Sequence, residues 1–367
     1  MSRFASRRQL LGVGGAGLAA AAAPWLAPSP VAAQALSGAA MDGLRLEWTA
    51  FRQRFLAPEG RVVDTGNRNI SHSEGQGWAM LAAVRSDDRA SFELMLGWTR
   101  RTLKRPRDHL HAWRFRPRAS NPVDDLNNAT DGDLFIAWAL LEAGARWGVA
   151  DHTALGQAIA RDVLRLLIAP AGPYLVMLPG ARGFDRRETV VVNPSYYAFP
   201  AIRALATAVP DPLWVRAASD GVALLRGARF GRWGLPPDWL MVSRADGRLS
   251  LPDAWPPRFS YDAVRVPLFA AWVGLGREPA VTGPADFWND PGHAHLPAWA
   301  DLTSNTISPY AASPGIAGVA RLATAHRVGM PLSSAQPRGP SPMPDYYSAG
   351  LTLLAALATR ETGMASM

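Results

Sequence analysis

The chain has 367 residues, 48% hydrophobic and 19% charged, enough for one large domain or two ordinary ones. It contains no cysteine, which excludes disulfides, thiolate catalysis and Cys-type zinc sites, and its 7 His include no His-x-x-x-His pair of the zinc-hydrolase kind. The formal charge of +8 would suit an anionic partner, but the arginines are scattered and only Arg100-Arg101 to Arg107 forms a dense patch, so no nucleic-acid function is expected.

At the N-terminus, Ser6-Arg7-Arg8-Gln9-Leu10-Leu11 sets a twin arginine before an apolar run that ends at Leu26. Small residues follow at Val31-Ala32-Ala33 and Ala33-Gln34-Ala35. A charged segment, an apolar segment and a small-residue cleavage site read as an export signal of the twin-arginine type over residues 1–35. Gly12, Gly14, Gly15, Gly17 and Pro24 weaken an anchor reading, and the run falls short of the roughly 20 residues that span a bilayer. Residues 36–367 are then one exported domain, periplasmic or secreted, without stable membrane insertion.

Apolar periodicity near 3.6 predicts helices over 41–56, 74–86, 89–104, 130–147, 151–168, 195–208, 212–227, 260–275, 312–326 and 345–361, with 285–300 ambiguous. Asp211-Pro212 puts proline at a first helical position. The strand candidates are Tyr174–Leu178 and Glu188–Val192, read as a hairpin across Pro179-Gly180-Ala181-Arg182-Gly183. Long Pro- and Gly-rich loops occupy 105–126, 228–258 and 327–344, and loops of that length in a compact domain are usually functional or disordered.

Three acidic positions stand at predicted helix starts. The first is Glu74 in His72-Ser73-Glu74-Gly75-Gln76-Gly77-Trp78, where Gly75 and Gly77 allow close approach to the backbone. The second is the run Asn127-Asn128-Ala129-Thr130-Asp131-Gly132-Asp133. Capping needs one such residue, and here two carboxylates and two amides crowd one helix start, where unpaired N–H groups and the dipole favour negative charge. The third is Tyr261-Asp262 with Arg265, an i,i+3 pair that is equally readable as a plain ion pair.

At these residues the chain resembles glycoside hydrolase family 8. Ala129-Thr130-Asp131-Gly132-Asp133 with Ile136-Ala137, Ala139-Leu140-Leu141, Ala143 and Trp147 fits the family signature. Ser73–Gly77 fits its acid motif, Tyr261-Asp262 with Arg265 its base segment, and Tyr346-Tyr347 its C-terminal end. Asn193-Pro194-Ser195-Tyr196-Tyr197 and Gly234–Trp239 narrow the resemblance to the periplasmic cellulases that accompany bacterial cellulose synthase. The twin-arginine segment departs from the export signals usual in that group.

The resemblance implies an all-α (α/α)6 barrel with a small β-hairpin and long loops forming a cleft. It implies an inverting endo-β-1,4-glucanase acting on cellulose chains and cello-oligosaccharides, with cellulose synthase as a candidate partner. Glycosidic cleavage needs a protonated acid and a second carboxylate, which an inverting enzyme holds roughly 6.5–9.5 Å from the first. Glu74 is the expected acid, with a raised pKa, and Asp262 the expected base, oriented by Arg265. Asp131 is the expected third carboxylate, bonded to the sugar at the cleavage point. Trp113, Trp138, Trp233 and Tyr196 are candidates for sugar stacking, and Tyr196 or Tyr197 for positioning the attacking water. Asn128 is a candidate sugar contact or a structural group, and Asp133 a structural one. This chemistry requires no metal and no cofactor. Chitosan, xylan and mixed-linkage glucan are alternative substrates. A non-catalytic glucan-binding protein and a polysaccharide lyase are the competing functions.

Overall fold

The computed structural model describes residues 38–329 and 344–362. The expected signal over 1–35 and most of the 327–344 loop lie outside the described residues. Eleven α-helices are described: α1 (Gly38–Phe55), α2 (Ser73–Arg85), α3 (Arg89–Thr102), α4 (Thr130–Trp147), α5 (Ala150–Leu166), α6 (Phe199–Ala208), α7 (Pro212–Gly227), α8 (Arg265–Trp272), α9 (Pro279–Trp288), α10 (Pro314–Val328) and α11 (Tyr346–Glu361).

The helices form two rings. Helices α2, α4, α6, α8 and α11 touch in a closed inner cycle, while α3, α7 and α9 each back one inner helix, α5 backs α4 and also touches α6, and α10 and α1 pack against α11. Sequence decides which ring a helix joins. Every residue of α2 from Gly75 to Val84 is buried, as is the whole of α8, because both are apolar around nearly their full circumference and the exceptions, Gln76 and Arg265, are hydrogen-bonded inside. In α3 only Ser91, Phe92, Met95, Leu96, Trp98 and Thr99 are buried, which is one stripe facing inward. Glycine lets the inner helices come together: a Cβ on Gly77 of α2 would stand 2.7 Å from the Phe135 Cβ and 3.0 Å from the Ile136 nitrogen of α4.

The inner helices run in the same direction. At one end, first-turn residues of α2, α4, α8 and α11 meet. At the other end, Arg85 of α2 pairs with Glu142 of α4 and Glu361 of α11, and Glu361 also accepts from Trp272 of α8 at 2.9 Å and lies 3.9 Å from Arg203 of α6. Each of the five helices supplies one side chain to that far cluster.

Small sheets close the loops: β1 (Ser71–His72) with β2 (Arg114–Phe115), β3 (Ile168–Ala171) with β4 (Tyr174–Met177), β5 (Thr189–Val192) with β6 (Leu240–Ser243) and then β7 (Leu249–Ser250), and β8 (Arg258–Phe259) with β9 (Ala300–Asp301). The expected hairpin is therefore corrected. Both strands exist, but β4 pairs with β3 across Gly172, whose φ of +58° suits the tight turn, and β5 pairs with β6 from the 228–258 loop. Two helix starts also move. The 195–208 segment breaks into a 3-10 turn at Pro194–Tyr196 and α6 from Phe199, and the 260–275 segment opens as a turn with the helix proper beginning at Arg265. Helix α9 falls mostly before the ambiguous 285–300 stretch; Pro279 sits at its start and Pro284 lies within it, which hides the helical period.

Candidate active site

The first turns of α2, α4 and α8 converge on one guanidinium. Arg265, the first residue of α8, is 1% exposed. Its Nη1 donates to Glu74 of α2 and to Oδ2 of Asp131 of α4 at 3.0 Å. Its Nη2 donates to Oδ1 of Asp262 at 2.6 Å and to Oγ of Ser195 at 2.9 Å. Three carboxylates far apart in sequence thus share one buried cation. The Trp78 and Tyr196 rings lie 5.6 Å and 5.8 Å from the Arg265 Cζ. Gly132 makes the approach of α4 to α2 possible, since a Cβ there would stand 2.8 Å from the Glu74 backbone nitrogen.

Burial sets the proton affinities. Asp131 is 1% exposed, and loss of solvent, then repulsion from Glu74, pushes its carboxyl up to about 8 against the pull of Arg265. Its Oδ1 accepts from the Gly132 N–H at 2.8 Å. Asp262 is pushed up to about 6, chiefly by burial, with Arg265 opposing and Asp238 and Asp131 adding. The Tyr196 hydroxyl is raised by burial and then by Asp131 and Asp262, which places it in the same negative field.

Asp262 rides on a turn rather than on a helix. Asp238 fixes that turn: its Oδ1 accepts from the backbone of Ser260 at 2.9 Å and of Ala263 at 2.7 Å, and its Oδ2 from the Ser260 hydroxyl. Ser195 is fixed in turn by Asn193, whose Oδ1 accepts from the Ser195 N–H at 3.0 Å and hydroxyl at 2.7 Å. Roles for Asn193, Ser195 and Asp238 are not among the expectations from sequence. Polar residues just before helices or in turns were the available signal, and they are too common to single out.

The remaining expected residues separate into two groups. Tyr196 faces the cluster, whereas Tyr197 is 2% exposed, packs on Gly221 and takes the Met177 N–H on its hydroxyl oxygen at 3.1 Å. Trp113 stands beside the cluster. Its carbonyl accepts from Ser73 at the start of α2, its N–H donates to Asn127, and its half-buried ring stacks on His72 at 6.1 Å. Trp138 is 4% exposed and lies two helical turns below Asp131, packed on Phe135 and Trp272, so it is a core residue and not a sugar platform. Trp233 packs against Phe287 of α9 and donates to Asp290 at 2.8 Å, with no contact to the carboxylates among the described residues. Asn128 is buried and bonded at both ends, donating to Asp133 at 3.0 Å and accepting from Ala181 at 2.8 Å. It clasps a loop to α4. Asp133 also accepts from the backbone and the ring Nδ1 of His111, both at 2.9 Å, in keeping with a structural group.

Comparison with known proteins extends the likeness over the whole fold. A probable endoglucanase of Novacetimonas hansenii is 46% identical over 89% of this chain and 94% of its own length. An endoglucanase of Cellulomonas uda is 40% identical over 74% of this chain and 75% of its own. The solved endo-beta-1,4-glucanase CMCax from Acetobacter xylinum superposes with a TM-score of 0.80 at 46% identity, covering 88% of this chain and 99% of that one. The double ring of helices with small antiparallel sheets is the all-α (α/α)6 barrel of these structures. Residues 18–361 match the family model of the glycosyl hydrolases family 8, and with the three carboxylates gathered at one barrel end, the chain belongs to that family.

Proposed function

We propose that the chain is an inverting endo-β-1,4-glucanase that cuts cellulose chains, with Glu74 as general acid and Asp262 as general base. The observation that carries this reading is the convergence of Glu74, Asp131 and Asp262 on Arg265 at the mouth of the barrel. Burial and the neighbouring Glu74 charge hold the Asp131 carboxyl up at about 8, so Asp131 carries a proton at neutral pH beside Glu74. Glu74, as general acid, donates a proton to the leaving oxygen. Asp262, mostly ionised at pH 7 with a value near 6, takes a proton from the water that attacks the opposite face of the sugar. Arg265, itself seated on the Ser195 hydroxyl, holds that carboxylate in place, Tyr196 borders the water position, and Trp113 offers a flat ring at the rim.

The substrate assignment is supported by the names of the relatives, which are endoglucanases. We place the protein in the same reading as an exported enzyme: residues 1–35 form a twin-arginine signal and 36–367 one catalytic domain that trims β-1,4-glucan during cellulose synthesis. The test uses residues 36–367 on carboxymethyl cellulose, xylan, chitosan and mixed-linkage glucan, reading reducing ends. Hydrolysis of the cellulose derivative is expected, with Glu74→Gln lowering kcat by about a hundredfold or more while cello-oligosaccharide binding persists. Undiminished turnover in that variant would remove Glu74 as the acid, and turnover confined to another polymer would replace the substrate.

A further inference from the structure

The dense basic patch that the sequence offers at Arg100–Arg107 is not used by the carboxylate site. In the fold it lines a cavity of about 700 Å³ between the end of α3, the loop that follows and Leu155 of α5. That volume is ordinary for a small-molecule site. Gly97 leaves the room: a Cβ there would stand 3.0 Å from Nη1 of Arg101.

The charges in this cavity are unbalanced. Arg100 and Arg101 lie in the last turn of α3, where a helix C-terminus attracts cations. That attraction does not reach Lys104 and Arg107, which follow the helix. The carboxylates at hand are already committed to the loop itself. Asp108 holds Arg105 by two bonds of 2.9 Å and 3.0 Å and accepts from the Leu110 N–H at 3.1 Å. Asp162 of α5 accepts from the His109 backbone at 2.7 Å and its ring at 2.8 Å. Arg105 also donates to the Leu126 carbonyl at 2.7 Å. The loop is therefore held in shape from inside, while Arg100, Arg101, Lys104 and Arg107 form no ion pair among the described residues. Four like charges around one cavity repel, and an anion relieves that repulsion. Guanidinium forks favour oxyanions with paired oxygens, and a preorganised loop lowers the cost of binding. A neutral glucan has no use for such a site.

We infer that this cavity is a binding site for a small ligand carrying phosphate groups, independent of the glucan cleft. His111 joins the two regions. It lines the cavity, and its Nδ1 is bonded to Asp133, two residues from Asp131.

Equilibrium dialysis of residues 36–367 against labelled inorganic pyrophosphate at low salt tests the inference. Saturable binding is expected, weakened about tenfold or more in Arg100→Ser/Arg101→Ser/Lys104→Ser, which keeps the parent circular dichroism and basal hydrolysis. Arg107→Ser, a single exposed change on the loop, is expected to weaken binding in the same direction. Failure of the parent to saturate, or equal binding by parent and both variants, overturns the proposal whatever the glucanase assay gives.

Discussion

At the residue scale, Arg265 ties the chemistry together, because burial and one shared cation act on three carboxylates at once. In the proposed mechanism Asp262 must be ionised to serve as base, while Asp131 keeps its proton beside Glu74. The rate should therefore fall on the acid side near 6 and on the alkaline side near 8. A kcat/KM profile on a soluble cellulose derivative should be bell-shaped with those limbs, and a rate still rising well above 8 would contradict a role for the Asp131 proton. Glu74 and Asp131 were legible in the sequence because each stands at a helix start beside glycine or a crowd of polar residues, whereas Asp262, on the turn before α8, showed only its spacing from Arg265 and the family resemblance. Arg265 was legible as the partner of Asp262 alone. Its bonds to Glu74, Asp131 and Ser195 join residues up to 191 positions apart, and local spacing carries no trace of them.

At the element scale, the start of α4 shows why crowding at a helix terminus was informative and where it misled. Of Asn128, Asp131 and Asp133, only Asp131 faces Arg265, while the other two form a clasp with His111 and Ala181. Asp133 is fully buried and accepts three hydrogen bonds. Replacing it with alanine orphans those donors and should cost about 2–4 kcal/mol, read as a lower midpoint in denaturant with an unchanged slope. A midpoint equal to that of the parent would show the clasp to be dispensable. Strand pairing was the least legible feature. Tyr174–Met177 and Thr189–Val192 have the composition of strands, but their partners are chosen by Gly172 and by a distant loop, and strand composition does not encode a partner. Trp138 turned out to be core for a related reason: an aromatic residue reads alike whether its ring fills a core or lines a cleft.

At the scale of the whole molecule, the site is a cost that the rest of the barrel carries. The folded chain holds the Asp131 proton up to about 8, whereas an unfolded chain releases it near 3.8. Between those values the native state binds the extra proton, so this group's contribution to stability declines as pH rises and is lowest above 8. Asp131→Asn removes the titration. It should raise Tm relative to the parent by a few degrees at pH 9, with a smaller gain at pH 5, while activity falls; an equal gain at both pH values would show that burial of the charge is not the cause. Opposite this site the far cluster of Arg85, Glu142 and Glu361 pins the other ends of the inner helices. Because those helices are co-directional, their amino ends, each equivalent to about half a positive charge, point toward the same mouth. The barrel thus has an electrical axis, positive at the reacting end and negative where Arg85 sits. That field belongs to the peptide backbone. Side chains at the mouth can be exchanged one by one as substrates change, and each newcomer still arrives in a potential that favours an anion, which makes this end of the barrel hospitable to carboxylate chemistry before any particular carboxylate is chosen.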